Sequence, residues 1–323
     1  MRKYLSLLVA IVIVGAFITA AKAETWNMAS TYPESTFHTK NIRLFINDVE
    51  KATNGKLKII LHSGSSLFSM GAMKQAVQTG QVPIGEVLLG QYGNEHPIFE
   101  ASAIPFLATG LENAKKLWEI TLPIMTEYLA KQGTKLLYGV PWPEQGIYTK
   151  KPITRCADLK GLKFRVYSPM TARLAEQMGA IPTQIQFSEI PQAFATGTVH
   201  AMYTSAQSGA DTQAWDFTSH FTNVVGNHVY NGVIVNEKAF KRLNSELQKS
   251  LLEAAAKAGP RGLKMCYEAT SSNLKILKDH GMIISTPGPE FMAELNKIGE
   301  TLTAEWIKKA GSMGEEAIKK FRQ

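Results

Sequence analysis

The strongest constraint on the fold is a regular alternation of strand and helix patterns. A short apolar strand around Trp26 and Met28 is followed by a helix that begins near Ser35 or Thr36, either of which is a suitable N-cap. A second strand, LKIIL, follows at 57–61. A strand, a helix and a strand in succession predict two parallel strands joined by a crossover helix.

The alternation is repeated on both sides of a Pro-Trp-Pro segment at 141–143, which is stiff and predicts a crossing between two lobes. The apolar run at 233–235 predicts a return to the first lobe. We therefore expect an α/β fold with two lobes, each a mixed sheet flanked by helices. The predicted boundaries are 24–141 with 231–270 for lobe 1, and 142–230 with 271–323 for lobe 2.

A long helix near the C-terminus is predicted to join the lobes. The pattern from Ser245 to His280 is almost wholly helical, and Gly259 and Pro260 lie inside it. Proline removes one helical hydrogen bond and clashes with the preceding turn. We expect a kink or a break at this point.

The first residues have the form of an export signal. Arg2 and Lys3 precede a mostly apolar run at 5–20, and the run ends in the small-x-small sequence Ala-Lys-Ala at 21–23. The run is shorter than the roughly 20 apolar residues that span a bilayer. We expect a signal peptide at 1–23, a periplasmic location and no embedding in a membrane. An uncleaved anchor is the alternative.

The remaining 300 residues are enough for two lobes with a large core. The formal charge of +8 falls to +5 without the three basic residues of the export signal, and the other lysines form no basic stripe of the nucleic-acid-binding kind. We expect no nucleic-acid partner. Cys156 and Cys266 are far apart, and an oxidising compartment allows a disulfide, but the sequence alone does not decide whether they pair.

The motifs of common catalytic centres are missing from the sequence. The seven histidines have no H-E-x-x-H or other close ligand spacing, and there is no G-x-S-x-G, P-loop or Rossmann glycine fingerprint. We expect no metal-ligand residues, no cofactor and no enzymatic activity, but the sequence alone does not decide whether a metal ion shares the binding site. An exported hydrolase or lyase that uses a carboxylate and a histidine, for example Glu34 with His38, is the alternative from another class.

Arg165 is the main candidate for a binding residue. It lies near the end of the strand pattern LKFRV at 162–166, and open α/β sheets bind ligands beyond the carboxyl ends of their strands. Its guanidinium stays protonated and presents a planar fork of donors that matches a carboxylate. By period and charge alone, an ordinary surface arginine is the more common interpretation.

A set of motifs in a fixed order changes that interpretation. They are DLKGLKFRV at 158–166, MGAIPT at 178–183, FSE at 187–189 and TG at 196–197, with IPF at 104–106 in the first lobe. Together they resemble the solute-binding receptors of the tripartite ATP-independent periplasmic (TRAP) transporters. The resemblance extends over the chain beyond the export signal and implies a two-lobed periplasmic binding protein fold. It also implies a receptor that delivers its ligand to a membrane permease.

The resemblance assigns roles to two residues and leaves others open. It implies that Arg165 forms the salt bridge to the ligand and that Phe187 packs beside it. Many acid-binding relatives have an asparagine where Thr204 stands, and receptors for sialic acid carry a second arginine roughly where Gln145 stands. The pocket is thus expected to be less polar, and its ligand to be a monocarboxylate with an apolar or aromatic body.

Further candidates come from rings and from the first loop. Trp142, Tyr203 and Tyr230 are expected to reach the cleft and stack on the ligand, with core packing as the equal alternative. His38 and Glu34 follow the first strand, where the family often contributes a polar contact, although a solvated helix start explains them as well.

The whole sequence predicts a monomeric receptor whose lobes close over a small organic acid. Its other expected partner is the permease of a TRAP transporter. The same fold also serves receptors that present a ligand to a membrane sensor kinase, so sensing is the alternative to transport.

Overall fold

The structure is a computed structural model that describes residues 23–323, so all but the last residue of the predicted signal peptide lies outside the described residues. Two sheets form the centres of the two lobes. The strands are β1 (Glu24–Ala29), β2 (Leu57–His62), β3 (Ile84–Leu88), β4 (Thr134–Pro141), β5 (Gln145–Thr149), β6 (Lys163–Val166), β7 (Ile181–Gln184), β8 (Ala201–Ser205), β9 (His220–Thr222), β10 (Tyr230–Asn236) and β11 (Ile283–Ser285).

Helices cover both sheets, so each lobe is a layered α/β unit. The helices are α1 (Phe37–Ala52), α2 (Met73–Gln78), α3 (Leu111–Lys131), α4 (Pro169–Gln177), α5 (Ile190–Ala195), α6 (Ala206–Asp211), α7 (Glu237–Arg242), α8 (Ser245–Asp279), α9 (Pro289–Ala310) and α10 (Ser312–Arg322). Short 3-10 turns lie between them. The predicted two-lobed fold with a long helix near the C-terminus is confirmed.

The sheet of lobe 1 has the strand order β2-β1-β3-β10-β4. Strand β1 is parallel to β2 and β3, so the predicted crossover through α1 is present. Leu57, Ile59 and Leu61 alternate with two exposed residues in β2, and the alternation buries one face of the strand. Strand β10 returns from the second lobe and runs antiparallel between β3 and β4.

The sheet of lobe 2 has the order β11-β9-β5-β8-β6-β7. Strands β6, β7 and β8 are parallel, so their carboxyl ends lie on one edge, whereas β5 runs antiparallel to β8. Helix α4 follows β6 and begins as its sequence predicts. Ser168 accepts a hydrogen bond from the Thr171 amide, and Pro169 occupies the first helical position.

Two extended segments connect the sheets, and they pair with each other. One joins β4 to β5 and the other joins β9 to β10. The Trp142 amide donates to the Val229 carbonyl at 2.8 Å, and the Gly226 amide donates to the Gln145 carbonyl at 3.1 Å. Paired crossing segments suit a hinge, because small dihedral changes in both chains rotate one lobe against the other.

Helix α8 is continuous through Pro260, so the break allowed for by the sequence is absent. Its N-terminal half packs on α1 and β4, and Asn41 of α1 holds it on both sides of the proline. The Asn41 amide donates to the Ala258 carbonyl at 3.0 Å, and its oxygen accepts from Arg261 Nε at 2.8 Å. These side-chain bonds offset the backbone bond that proline removes.

We predict that Gly262→Ala destabilises lobe 1 by about 1–3 kcal/mol. A Cβ on Gly262 would lie 2.4 Å from Val140 Cγ2 and 2.8 Å from Asn41 Nδ2, so α8 would have to move away from β4. Gly259→Ala in the same helix is the matched control, since its Cβ would make only an ordinary contact at 3.7 Å. Denaturant unfolding of both variants measures the difference, and equal stabilities would contradict the prediction.

The C-terminal helices contact both lobes. Glu305 of α9 pairs with Arg173 of α4 in lobe 2, whereas Trp306 Nε1 donates to the Pro97 carbonyl in lobe 1 at 2.8 Å. Helix α10 packs on α3. The lobe boundaries drawn from the sequence stay a prediction. Cys156 and Cys266 are both free thiols, so the disulfide that the compartment would allow is absent from the structure.

Candidate functional site

A cavity lies between the lobes, where β6 and β8 of lobe 2 end against the first loop of lobe 1 and the crossing segments. Its walls surround about 310 Å³ of empty space, a figure that includes space open to solvent. The lining residues, which define the inter-lobe cavity, are Tyr32, Met70, Leu88, Trp142, Gln145, Arg165, Tyr167, Phe187, Thr204, Ser208 and Val229.

Arg165 is the one charged residue of this lining, and it is 2% exposed. Its Nε donates to the Ile185 carbonyl at 3.1 Å, which directs the side chain across the carboxyl end of the sheet. The guanidinium carbon lies 5.0 Å from the centre of the Tyr167 ring, at cation–π distance. Within residues 23–323, no Asp or Glu forms an ion pair with Arg165 and its terminal nitrogens donate no hydrogen bond.

The electrostatics of Arg165 follow from that isolation. Burial lowers the pKa of the guanidinium to about 10, and only tyrosine side chains oppose the shift. The group is therefore still protonated at neutral pH, as a desolvated cation without an anionic partner in the described part of the chain. Because such a cation is costly, an anion that enters the cavity gains both its own hydrogen bonds and the neutralisation of a buried charge.

Aromatic rings form the walls on either side of the cavity. Phe187, in the 3-10 turn Phe187–Glu189, meets the Tyr32 ring edge-on at 5.3 Å, and Trp142 meets the same ring at 4.8 Å. Lobe 1 thus contributes Tyr32, lobe 2 contributes Phe187, and a crossing segment contributes Trp142. All three rings line the inter-lobe cavity, so its walls offer aromatic surface to a flat apolar body.

The polar groups of the cavity differ in how free they are. The Gln145 amide is engaged, because its Nε2 donates to the Pro143 carbonyl at 2.9 Å and its Oε1 accepts from Tyr167 Oη at 3.3 Å. Thr204 is 4% exposed, and its hydroxyl has no hydrogen bond to any described residue. The Ser208 hydroxyl accepts from Ser205 and keeps its own proton to donate.

Trp142 is held by a buried polar chain in lobe 1. Its Nε1 donates to Asn231 Oδ1 at 2.9 Å, and Asn231 Nδ2 donates to Glu86 Oε1 at 2.9 Å. The other oxygen of Glu86 accepts from Ser30 Oγ at 2.6 Å. Burial raises the pKa of Glu86 against these hydrogen bonds, which lower it. The chain of bonds fixes the plane of the indole that faces the ligand space.

His38 supports the wall from behind and does not line the cavity. Its ring lies 4.3 Å from that of Trp142, and its Nδ1 is 3.5 Å from Glu86 Oε1. Burial lowers the pKa of His38 to about 3, so the ring is neutral at physiological pH. His38 therefore packs against Trp142 in the structure, and a polar contact of this residue with a ligand stays a prediction.

Three other predicted site residues lie away from the cavity. Tyr203 neighbours Thr204 on β8, and since adjacent strand residues face opposite sides, it is buried with its hydroxyl bonded to Asn227 Oδ1 at 2.7 Å. Tyr230 stacks on Trp118 at 4.3 Å in lobe 1. Glu34 is exposed and pairs with Arg43 at 2.7 Å.

The structure also adds lining residues that the motifs did not single out. The sequence pattern could have indicated two of them as site residues. Tyr32 follows β1 and Tyr167 follows β6, so both lie beyond strand ends, where α/β sheets bind ligands. Ser208 lies in the first turn of α6, the helix that directly follows β8. Met70, Leu88 and Val229 are apolar residues of loops or strand ends, and nothing in their local pattern distinguishes them from core residues.

A membrane-spanning helix and a metal-binding cluster are both absent from the described residues. Between residues 23 and 323, no helix combines the length and apolar character needed to span a bilayer. In the same part of the chain, no group of three or more His, Cys, Asp or Glu side chains is arranged to hold a metal ion.

Two lobes linked by paired crossing segments, with a cavity between them, define the class of two-lobed solute-binding proteins. Comparison with known proteins then identifies the family. The model of the family described as "Bacterial extracellular solute-binding protein, family 7" matches residues 28–309, and the chain belongs to this family of TRAP solute receptors. Its members are binding proteins, so the chain is a receptor and not an enzyme.

Solved structures of similar receptors cover nearly the whole chain. DctP7 of Bordetella pertussis, a receptor that binds pyroglutamic acid, is 42% identical over 93% of this chain and 100% of its own, with a TM-score of 0.92. DctP6 of the same organism, which also binds pyroglutamic acid, is 39% identical over 92% and 99%, with a TM-score of 0.91. A marine metagenome TRAP receptor specific for pyroglutamate is 35% identical over 93% and 99%, also at 0.91.

Proposed function

We propose that this chain is the periplasmic receptor of a TRAP transporter that binds pyroglutamate and delivers it to a membrane permease. The observation that carries the proposal is the buried Arg165 guanidinium, which has no carboxylate partner among residues 23–323 and faces a small cavity. A single carboxylate is the group that completes this site. The three receptors of known ligand described above support the choice of acid.

Pyroglutamate has the chemistry that the rest of the cavity calls for. Its carboxylate would pair with Arg165, and its small ring would lie between the aromatic walls at Phe187 and Trp142. Its lactam offers one N–H donor and one carbonyl acceptor, and the hydroxyls of Thr204 and Ser208 would meet them. The ligand body is thus a compact cyclic amide, which refines the apolar or aromatic body expected from the sequence.

Binding would close the lobes around the ligand. Arg165 and Phe187 belong to lobe 2 and Tyr32 to lobe 1, so one small molecule touches both sides only when the cleft is shut. Contacts that exist only in the closed state shift the population toward closure. A permease would then distinguish the loaded receptor by its shape.

Isothermal titration of the protein, purified under denaturing conditions and refolded to remove bound ligand, tests the proposal. We expect one pyroglutamate per chain with a Kd in the micromolar range or tighter. Mass spectrometry of ligand released from natively purified protein provides an independent check. Binding of a dicarboxylate or a sugar acid without any binding of pyroglutamate would overturn the ligand assignment.

A further inference from the structure

Beside the cavity, three polar side chains join the two lobes directly. Asp211 is the last residue of α6 in lobe 2. Its Oδ1 accepts from Ser35 Oγ at 2.7 Å and its Oδ2 accepts from Thr36 Oγ1 at 2.8 Å, and both hydroxyls belong to lobe 1. Both oxygens of one carboxylate are therefore engaged by the opposite lobe.

Local sequence predicts that Ser35 or Thr36 caps the N-terminus of α1, but their hydroxyls bond to Asp211 instead. Thr36 occupies the N-cap position of α1 with extended backbone angles, yet its side chain bonds no amide of that helix. An N-cap threonine ordinarily stabilises its own helix by about 1 kcal/mol. Here the Thr36 hydroxyl donates to Asp211 instead, so its bond serves contact between lobes rather than the start of the helix.

The same two segments also carry residues of the cavity. The loop that holds Ser35 and Thr36 contains Tyr32, and the helix that ends in Asp211 contains Ser208. Asp211 is positioned from within lobe 2, because Gln207 Nε2 donates to it at 2.8 Å and Asn273 of α8 in turn donates to Gln207 at 2.9 Å. A ligand that draws Tyr32 and Ser208 together brings the three polar side chains into register.

We infer that Ser35, Thr36 and Asp211 form a latch that holds the lobes closed over the bound acid and sets its rate of release. This latch deepens the proposed function and rests on it, because only an enclosed ligand has a release rate to be set. Asp211 touches no ligand and acts as a positioning residue. The latch bonds must break before the cavity can open on this side.

If the latch holds the lobes closed, its removal should change the rate of ligand dissociation and not the rate of association. Asp211→Ala is expected to raise the rate of pyroglutamate dissociation by about ten- to a hundredfold, with association changed by less than about threefold, because interface changes act mainly on dissociation. Stopped-flow tryptophan fluorescence with pyroglutamate as the probe measures both rates. Asp216→Asn is the matched control, since Asp216 is an exposed acid of the same lobe whose side chain forms no hydrogen bond with a described residue.

A second route avoids dependence on the folding of one variant. Ser35→Ala combined with Thr36→Ala removes the latch from lobe 1, and adding Asp211→Ala to that pair is expected to cause little further change, since the bonds are already absent. Dissociation within about twofold of the Asp216→Asn control in both single-lobe variants would overturn the latch. Fully additive effects from the two lobes would overturn it as well.

The latch and the ligand assignment fail in different ways. If the unmodified protein binds no pyroglutamate, the proposed function is wrong, and disulfide trapping then tests without that ligand whether the two sides of the latch meet. Ser35→Cys with Asp211→Cys is expected to cross-link under mild oxidation, because the two side chains meet at 2.7 Å in the closed form. No cross-link, with a cysteine introduced at Asp216 in place of Asp211 as the reference, would overturn the latch.

Discussion

Replacement of Arg165 by alanine is expected to weaken pyroglutamate binding by about a thousandfold, equivalent to about 4 kcal/mol. Each charge-assisted hydrogen bond to the carboxylate contributes about 1.5–3 kcal/mol, and a guanidinium fork makes two. The cavity lining contains no second cation to replace the lost partner. Calorimetry of the variant, with circular dichroism to confirm its fold, measures the loss.

Three further variants separate the charge of Arg165 from its shape. Arg165→Lys keeps a cation but loses the planar fork, so we expect an intermediate loss of affinity of about ten- to a hundredfold.

Arg173→Ala is the control for affinity. It removes an exposed arginine of the same lobe that pairs with Glu305, and it should leave affinity unchanged. Arg165→Met should melt at the same or a higher temperature without ligand, because it removes a desolvated cation. Affinity within about tenfold of the unmodified protein in Arg165→Ala would contradict the assignment.

Much of the fold could be predicted from local pattern. The alternation in β2 and the cap at Ser168 depend on a few neighbouring residues, so the sequence predicts them. The sequence does not predict the position of β10 between β3 and β4, because that position depends on pairing between segments more than 90 residues apart, such as Val233 with Tyr138. The continuity of α8 at Pro260 likewise depends on Asn41, which belongs to another helix.

For the candidate site as well, the sequence predicts what depends on local pattern and not what depends on tertiary contacts. Arg165, Phe187, Thr204, Gln145 and Trp142 all line the cavity, and each lies in or next to a motif at a strand end or in a crossing segment. Whether these residues contact the ligand stays a prediction. The sequence could not show that Arg165 is buried, since Lys163 on the same face of β6 is exposed and the burial of Arg165 depends on tertiary contacts such as those with Ile185 and Tyr167.

The candidates that lie away from the cavity do so for identifiable physical reasons. Tyr203 and Thr204 are adjacent, so only one of them can face the cavity, and the sequence does not say which sheet face does so. The Tyr230 ring stacks on Trp118, which is 112 residues away in the sequence, so local pattern could not predict this contact. The cross-lobe bonds of Asp211 were missed because Ser35 and Thr36 have the local pattern of a helix cap.

A dicarboxylate such as succinate is expected to bind at least about a thousandfold more weakly than pyroglutamate. Arg165 neutralises one carboxylate, and every other lining residue is uncharged. A second carboxylate would be buried among aromatic rings and hydroxyls without a cation, and an uncompensated buried charge costs about 3–5 kcal/mol. Pyroglutamate carries a neutral amide at the corresponding end and avoids that cost.

Competition calorimetry with pyroglutamate, succinate and pyroglutamamide measures this preference on one protein. Pyroglutamamide, which has no charge, should also bind weakly, because it leaves Arg165 unpaired. The site is thus expected to prefer a ligand with one negative charge over an uncharged ligand and over a ligand with two negative charges. Gln145→Arg should reduce the preference for pyroglutamate over succinate by about tenfold or more, since it places a second guanidinium at the cavity wall. Gln145→Met, which adds no charge, is its control. Succinate binding within about tenfold of pyroglutamate in the unmodified protein would mean that a second cationic contact exists, and the single-anchor account of the cavity would then be wrong.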